Sequence, residues 1–570
     1  MGRSVQSPDE QVSMAKLENI WLYNTAYQSF DWGSLSFERT ISHVDRRFDE
    51  VGGEGLFLIP GLVDIHMHIE SSMTTPTEFS NAALPHGTTT VVADCHEVAN
   101  VFGSEGLADY MDLPSVLDIF YAIPSSVPST SKELETCYGS IDSLEVEQLC
   151  KREDIIALGE IMNANDLFSE GDNRTKRIIE TFRKYKGHCP IEGHCPKITG
   201  ELLSTFIASG VDSDHTHQSP ASIREKTSAG MFLEIQNKSI DSGTIEALSD
   251  PRLLGSFCFC TDDVMADVLY RDGHLDAVLR NAIEGGMDPL KAIYAATYSP
   301  AMRMRLYDRG MIGPGKIADF ILLDDVETLH IHSVYKAGKK VYDAQEGLLA
   351  ALAVPAIKEE YLQSCKRNPV TADEFDLSLP VGARDILVIE REQKTTFTKF
   401  AKAKVISTDN TLDFSSYGLS LLAVVERYGN NAPIIPAFMK NGLTKAGAIC
   451  SSWAHDSHNL LVLATSVELA VRAVNLVLHN QGGIALVDDE EEYFVPLTYG
   501  GIVSLEPMHV LARHIRHVRS WLREHGYHAQ EEVMNFAVLA LPVSPALKIS
   551  DKGLVDVVNK TLVDWRTYWG

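Results

Sequence analysis

Apolar and polar positions alternate in a regular way between about residues 57 and 300. Short apolar runs typical of buried strands alternate there with stretches whose apolar positions recur at helical spacing. The strand-like runs are LFLIPGLVDIHMH, TTTVVAD, VLDIFYAI, DIIALGEIMN, CPIEGH, GVDSDH, MFLEIQ and SFCFCTDD. Strands that alternate with helices predict a parallel sheet. Eight such units in about 240 residues predict an α/β fold with a closed, TIM-like (β/α)8 barrel.

A doubly wound open sheet is the structural alternative. Its phosphate-binding fingerprint, G-x-G-x-x-G, would follow the first strand. No such motif follows LFLIPGLVDIHMH in this chain, which favours the barrel.

The segments on both sides of the barrel have a different pattern. Residues 17–56 and 310–350 contain short β-like runs separated by turn residues, and they predict one small β-domain built from both flanks. Residues 385–570 mix strands such as HNLLVLATS with helices such as VELAVRAVNLVLHN. We therefore predict the first part of a small β-domain (1–56), the barrel (57–309), the second part of the β-domain (310–355) and a C-terminal α+β domain (356–570).

Composition narrows the classes of function. The formal net charge of −28 should repel phosphate backbones, so we expect neither nucleic acid nor anionic membrane as a partner. The polar N-terminus has no apolar segment typical of a secretory signal, and no run of about 18 apolar residues predicts a membrane helix. The nine cysteines lack zinc-ribbon spacing and are expected to be reduced thiols of a cytoplasmic protein.

Histidines and carboxylates recur where the predicted barrel strands end. The first strand ends in His66-Met67-His68, whose two imidazoles point to the same face because strand residues alternate. A lone H-x-H is weak evidence, since two core histidines bonded to the backbone would give the same pattern. Four further strands, however, end in Gly159-Glu160, Glu192-Gly193-His194, Asp214-His215 and Thr261-Asp262-Asp263.

Such groups are costly inside a barrel unless they are paired or bind a metal, and barrel enzymes keep their chemistry at this end of the strands. Four histidines and two carboxylates, with Glu160 as a bridge, can hold two divalent metal ions. A ligand set of nitrogen and oxygen suits zinc, iron or manganese.

One long segment carries a family resemblance. IPGLVDIHMHIESSMTTPTEFSNAALPHGTTTVVADCHEVANVFG resembles the opening of the adenine deaminases, a branch of the amidohydrolase superfamily. LGEIMN, EGHCP, SDH, CTDD, AATYSPA, GKIADFILL and AHDSHN resemble the same family, in the same order. The resemblance runs from about residue 55 to the C-terminus.

The resemblance implies a reaction and a set of site residues. The positions that match the metal ligands of the family are His66, His68, Glu160, His194, His215 and Asp262. The family implies two divalent ions, with Mn²⁺ or Fe²⁺ favoured over Zn²⁺, and the conversion of adenine and water into hypoxanthine and ammonia. Asp262 is the expected catalytic proton carrier between the attacking water and the leaving nitrogen.

Two further residues are expected to take part in catalysis. Glu70 follows the H-x-H directly and, by resemblance, lines the pocket. His96 follows the second strand, where acid–base or substrate-orienting chemistry competes with a role in bracing the loop. His455, Asp456 and His458 form either a lid over the barrel mouth or a separate structural network. High apolar content and the resemblance lead us to expect a homodimer.

Several positions depart from the family pattern. Thr216 stands where the family usually has Glu, Gln236 where it has Arg, Cys95 where it has Pro, and Val264 and Met265 where it has a basic residue and a His. The family's Glu and Arg are both replaced by neutral residues here. Either one ion pair has been lost as a unit, with no further consequence, or the pocket has been reshaped for another ring. The alternatives to an adenine deaminase are therefore a deaminase of an N6-substituted adenine, an amidohydrolase for another cyclic amidine and a non-catalytic metal-binding regulator.

Overall fold

The computed structural model describes residues 14–48, 50–392 and 395–566, which form two compact units. The first contains the described residues of Met1–Cys95, Met111–Ser125 and Asp142–Pro355, and the second those of His96–Tyr110, Ser126–Ile141 and Ala356–Gly570. Most of the N-terminal segment on which the expectation of no secretory signal depends lies outside the described residues. None of the described helices is both long and apolar enough to cross a membrane.

The first unit begins with four strands and continues into eight parallel strands. The first four are β1 Ala15–Asn24, β2 Ser29–Phe37, β3 Ile41–Arg46 and β4 Phe57–Pro60. The parallel strands are β5 Leu62–Met67, β6 Thr88–Asp94, β7 Asp118–Ile123, β8 Ile155–Ile161, β9 Ile191–Gly193, β10 Ser213–Asp214, β11 Phe232–Ile235 and β12 Phe257–Phe259.

Strands β5–β9 form one sheet and β10–β12 another, and the two sheets meet at both edges. The Asp212 N–H donates to the Ile191 carbonyl (3.1 Å), and the Asp262 N–H donates to the His66 carbonyl (3.1 Å). These contacts close the curled sheet, so the predicted (β/α)8 barrel is confirmed.

Twelve helices accompany these strands in the chain. They are α1 Pro76–Ala83, α2 His96–Met111, α3 Ser143–Leu149, α4 Ala164–Phe168, α5 Arg174–Lys186, α6 Gly200–Ala208, α7 Pro220–Ser228, α8 Ser242–Leu248, α9 Ala266–Asp272, α10 Leu275–Glu284, α11 Pro289–Ala296 and α12 Tyr298–Arg303. Helix α1 begins where the sequence supplies an N-cap, since the Thr75 hydroxyl accepts from the Glu78 N–H and Pro76 occupies the first turn. All of α2 except Met111 belongs to the second unit.

Side chains along β5 alternate between an apolar face and a polar face. Val63 and Ile65 lie in an apolar cluster with Ala301 of α12. The intervening residues, Asp64 and His66, point to the opposite face of the strand because side chains alternate. The apolar face therefore anchors the strand while the other face presents polar groups inside the barrel.

The flanks of the barrel share one sheet, as predicted. Strands β13 Phe320–Asp325, β14 His330–Lys336, β15 Lys339–Asp343 and β16 Gly347–Leu348 complete it in the order β16-β15-β14-β13-β4-β1-β2-β3. The run LFLIPGLVDIHMH, predicted as one strand, is two: β4 belongs to this sheet and β5 to the barrel. They are separated at Gly61, where a Cβ would collide with the Thr89 side chain.

The second unit contains a mainly antiparallel sheet and a smaller one. The strands of the larger sheet are β17 Gly382–Arg391, β18 Thr398–Ser407, β19 Ser420–Val425, β20 Ala437–Lys440, β21 Ala448–Ser451, β22 Leu460–Ala464, β23 Gly483–Val487 and β24 Glu492–Pro496. Their order is β18-β17-β20-β19-β22-β21-β23-β24. The smaller sheet contains β25 Leu547–Ser550, β26 Gly553–Asp556 and β27 Thr561–Val563, and the helices are α13 Val467–His479, α14 Met508–Glu524 and α15 Glu532–Ala537. The predicted C-terminal α+β domain is thereby confirmed.

Candidate metal centre

The six predicted metal ligands lie at the carboxyl ends of five barrel strands. His66 is in β5 and His68 follows it, Glu160 is the next-to-last residue of β8, and Asp262 comes three residues after β12. His194 and His215 directly follow β9 and β10. Since parallel strands bring their carboxyl ends to one face of the barrel, these side chains converge.

Glu160 lies between three of the histidines. Its Oε1 is 3.5 Å from His68 Nε2, whereas its Oε2 is 2.8 Å from His194 Nδ1 and 3.4 Å from His215 Nε2. The carboxylate is buried, and each of its oxygens faces a different side of the cluster. This is the arrangement that a bridging carboxylate needs.

Asp262 closes the other side of the cluster. Its Oδ1 is 3.4 Å from His68 Nε2 and 3.9 Å from His66 Nε2, and the His66 ring stacks on that of His215 with centroids 3.9 Å apart. Asp262 adopts a positive φ of 58°, an unfavourable conformation for a residue other than glycine, which aims its carboxylate into the barrel. The structure thus brings all six predicted ligands together.

The donor set fits divalent cations. Ligand-type atoms lie within 4.8 Å of one another in four groups: His66, His68 and Glu160; Glu160, His194 and His215; His66, His215 and Glu234; and His68, Asp262 and Asp263. His66 Nε2 and His215 Nδ1 are buried without a hydrogen-bond partner in the part of the chain that the structure describes. Buried polar atoms of this kind are costly unless a ligand satisfies them.

Burial and the charges within the cluster leave the pKa values of Glu160 and His66 both lowered. Burial would raise the pKa of Glu160, but the charges of His215, His194 and His68 outweigh it and hold that pKa well below its usual value. Burial, assisted by His215, lowers the pKa of His66 well below its usual value. His66 is therefore neutral at neutral pH, the form in which an imidazole binds a metal.

Neighbouring residues fix the orientation of the ligands. The Asp94 carbonyl lies 2.7 Å from His68 Nδ1, and the Asp94 carboxylate accepts from the Glu160 N–H at 3.1 Å. A Cβ at Gly159 would collide with that carboxylate, so glycine is needed beside Glu160. Contacts of this kind determine which nitrogen of a histidine is available to a metal.

Two of the departures from the family pattern contact the sixth strand. The Thr216 hydroxyl donates to Asp214, whose carboxylate also pairs with the buried Lys226 at 2.5 Å. The Gln236 amide donates to the His215 carbonyl at 2.6 Å. Both residues thereby support the segment that carries His215, and neither places a charge in the cluster.

The other predicted catalytic residues are buried close to strand ends. Glu70 lies in the 3-10 turn Ile69–Ser72, directly after His68. His96 is the first residue of α2, and its carbonyl accepts from Asn100 Nδ2 at 2.9 Å in the second unit. Their catalytic roles stay predictions.

Two residues near the cluster were not predicted. Glu234, fully buried in β11, places Oε2 3.9 Å from His66 Nδ1, and Lys238 places Nζ 3.5 Å from Asp262 Oδ2. A carboxylate inside the apolar run MFLEIQ was the available signal for Glu234. Lys238 gave no such signal, because a lysine in a loop is ordinary.

The segment AHDSHN forms a second cluster of buried charges, inside the second unit. Glu97 Oε1 lies 2.9 Å from His455 Nδ1, and its Oε2 lies 2.6 Å from His458 Nε2. Asp456 Oδ1 is 3.4 Å from the same nitrogen of His455. We call Glu97, His455, Asp456 and His458 the Glu97 cluster.

The matching family models and sequence relatives agree with these features. The family model "Amidohydrolase family" matches residues 57–343, and "Adenine deaminase C-terminal domain" matches residues 387–561. The chain is 42% identical to "Adenine deaminase" of Clostridium perfringens and 40% identical to "Adenine deaminase 2" of Oenococcus oeni, in both cases over 96% of this chain and 98% of the relative. A solved β-aspartyl dipeptidase of Fervidobacterium islandicum is 16% identical with a TM-score of 0.44, covering 61% of this chain and 100% of that one.

Proposed function

The chain belongs to the adenine deaminase family of amidohydrolases, and we propose that it hydrolyses adenine to hypoxanthine and ammonia. The observation that carries the proposal is the convergence of four histidines and two carboxylates around Glu160 at one end of the barrel. Members of this superfamily depend on metals. We further propose that two divalent ions, Mn²⁺ or Fe²⁺ in preference to Zn²⁺, are held by His66, His68, Glu160, His194, His215 and Asp262.

Three residues of the chain have distinct roles in the proposed reaction. Two bound cations would supply a water molecule that loses its proton near neutral pH, together with positive charge for the transition state. Asp262 accepts that proton through the carboxylate beside His68 and returns it to the leaving amine. The C–O bond forms first, at the carbon that bears the amine, and the C–N bond then breaks. One proton of the water leaves with the amine as ammonia and the other stays on hypoxanthine. Glu70 and His96 are proposed to orient the purine ring.

The less charged surroundings of the cluster support a second candidate substrate. Thr216 and Gln236 are occupied with Asp214 and the His215 carbonyl, and Met265 is buried at the start of α9. An apolar substituent on the exocyclic nitrogen would cost little there, since burying a methyl group is favourable by about 0.8 kcal/mol. N6-methyladenine is therefore the second candidate.

The test is release of ammonia or methylamine from matched substrates. Protein prepared without chelator and loaded with Mn²⁺, Fe²⁺ or Zn²⁺ is assayed on adenine, N6-methyladenine, adenosine and cytosine, with metal content measured on the same samples. We expect turnover of a free 6-aminopurine and little of the nucleoside. Turnover of another ring alone would reject the purine assignment, and folded protein that never retains metal would favour a non-catalytic role. The homodimer and the cytoplasmic location stay predictions.

A further inference from the structure

The loop after β11 is held in place on three sides. Gln236 bonds to the carbonyl of His215, and the residues on either side of Lys238 bond to α10 and to the loop after β10. The distances are 2.6 Å for Gln236 Nε2 to His215 O, 2.7 Å for Asn281 Nδ2 to Asn237 Oδ1, and 3.0 Å for Gln218 N–H to Ser239 Oγ. These bonds fix the loop, and the Lys238 side chain extends from it toward Asp262.

The ammonium group of Lys238 lies beside one carboxylate oxygen of Asp262. Its Nζ lies 3.5 Å from Asp262 Oδ2, the oxygen that does not face His68. The Lys238 side chain is 55% exposed and that of Asp262 is 10% exposed. The ammonium group therefore lies where the buried cluster meets solvent.

Stability does not account for this placement. A half-exposed ion pair contributes little to folding, and ordering a lysine side chain costs conformational entropy. Asp262 already faces His68 at 3.4 Å through its other oxygen. An ammonium group carries three N–H donors, and Asp262 can use only part of them.

The chemistry of the proposed reaction calls for such a donor. In adenine the carbon that bears the amine is bonded to one ring nitrogen, N1, which is a hydrogen-bond acceptor. When water adds to that carbon, negative charge moves onto the adjacent ring nitrogen, and a fixed cation there stabilises the transition state. The Gln236 amide, at the position where the family usually has Arg, is directed to the His215 carbonyl and cannot supply this charge.

We propose that Lys238 is a substrate-binding residue whose ammonium group donates a hydrogen bond to a ring nitrogen next to the amine-bearing carbon of the base. This inference rests on the proposed deamination of a purine. It assigns to Lys238 the positive charge that residue 236 does not provide in this chain.

The first experiment compares three variants of the metal-loaded, full-length protein. Lys238→Met should lower kcat/KM on adenine by about 10- to 100-fold, the loss expected for a hydrogen bond to a charged donor. Lys238→Arg should stay within a few-fold of the unsubstituted protein. The control is Lys184→Met, an exposed lysine on α5 of the same unit, which should change nothing. Metal content should be equal in all four proteins.

The second experiment identifies the acceptor. Inhibition constants of 1-deazaadenine and 7-deazaadenine are measured against the unsubstituted protein and Lys238→Met, or by equilibrium dialysis where residual activity is too low. Compared with the unsubstituted protein, the variant should bind 7-deazaadenine, which keeps N1, about 10-fold or more weakly, and 1-deazaadenine, which lacks N1, with unchanged affinity. Equal losses for both analogues, a loss for 1-deazaadenine alone, no loss on adenine, or loss of metal would each overturn the inference. Failure of the unsubstituted protein to deaminate adenine would instead reject the proposed function.

Discussion

The cluster of predicted metal ligands in the barrel and the Glu97 cluster of the second unit contain the same residue types, buried to a similar degree, but they are organised differently. Around Glu160, ligand atoms of three or more residues converge within 4.8 Å in overlapping groups. In the Glu97 cluster, each oxygen of Glu97 faces a different histidine, and Asp456 Oδ1 shares the nitrogen of His455. Convergence leaves donors for an ion, whereas ion pairing with the two histidines compensates the charge of Glu97 within the protein.

The ring protons of His458 and His455 agree with ion pairing inside the Glu97 cluster. The Ala454 N–H donates to His458 Nδ1, so the ring proton of His458 lies on Nε2 and is donated to Glu97. Burial would lower the pKa of His455, but Glu97 and Asp456 outweigh it and hold that pKa well above its usual value. His455 is therefore the charge partner of Glu97 at neutral pH, and removal of Glu97 would leave that charge buried.

The largest effect is expected from Glu160→Gln. A neutral amide cannot balance the charge of two cations or offer both oxygens, so turnover should fall by at least about 1,000-fold and metal content should drop. Circular dichroism should show an intact fold. The control is Glu201→Gln, an exposed residue of α6 in the same unit. Near-normal metal content in Glu160→Gln would show that Glu160 is not a ligand.

Glu97→Gln should act on stability and leave metal content unchanged. The amide nitrogen would face a histidine N–H, and the charge of His455 would lose its partner, which costs about 3–5 kcal/mol when a buried pair is broken. Thermal and denaturant unfolding measure the loss, and elemental analysis measures the metal. If instead Glu97→Gln lost metal at unchanged stability, the Glu97 cluster would not be an ion-pairing cluster separate from metal binding.

Glu135→Gln is the matched control for that variant. Glu135 is buried in the same unit and receives hydrogen bonds from the Thr130 N–H (2.9 Å) and the Ser129 hydroxyl (3.2 Å). Burial raises its pKa to about 7, so this carboxyl is already close to half-protonated at neutral pH. An amide resembles the protonated form, and we expect a clearly smaller loss of stability than in Glu97→Gln.

The barrel and the convergence of the six candidate ligands could be predicted from the sequence because both depend on local, periodic signals. Apolar runs of strand length repeat with helical stretches, and a strand end is recognisable where His66, Glu160 or His215 interrupts apolar residues. The partners of the Glu97 cluster could not be predicted in this way, since Glu97 and His455 are separated by more than 350 residues. Lys238 was missed because three bonds to neighbouring loops, rather than any local pattern, determine where its amine lies.

Lys548 is a third kind of buried charge, one with no carboxylate within ion-pairing distance in the described part of the chain. It is fully buried in β25, and its Nζ donates to the Thr396 carbonyl at 2.9 Å. Burial lowers its pKa to about 7, from 10.5. The unfolded state binds the proton of Lys548 more tightly than the folded state does, so this group reduces the free energy of unfolding. The full reduction applies below pH 7, and it becomes progressively smaller as the pH rises from 7 towards 10.5.

Lys548→Met keeps the length of the apolar stem and removes the amine. At pH 7 it should raise the free energy of unfolding by about 1–3 kcal/mol, a discounted share of the linkage term because a flexible lysine relaxes toward water. The gain should shrink as the pH rises toward 10, because the lysine of the unfolded state then also begins to lose its proton. Urea unfolding at pH 7, 8.5 and 10 measures it, with Lys552→Met on the turn after β25 as the control. A gain that does not change with pH would assign the effect to packing alone, and a loss of stability at pH 7 would show that the hydrogen bond to Thr396 outweighs the burial of the amine.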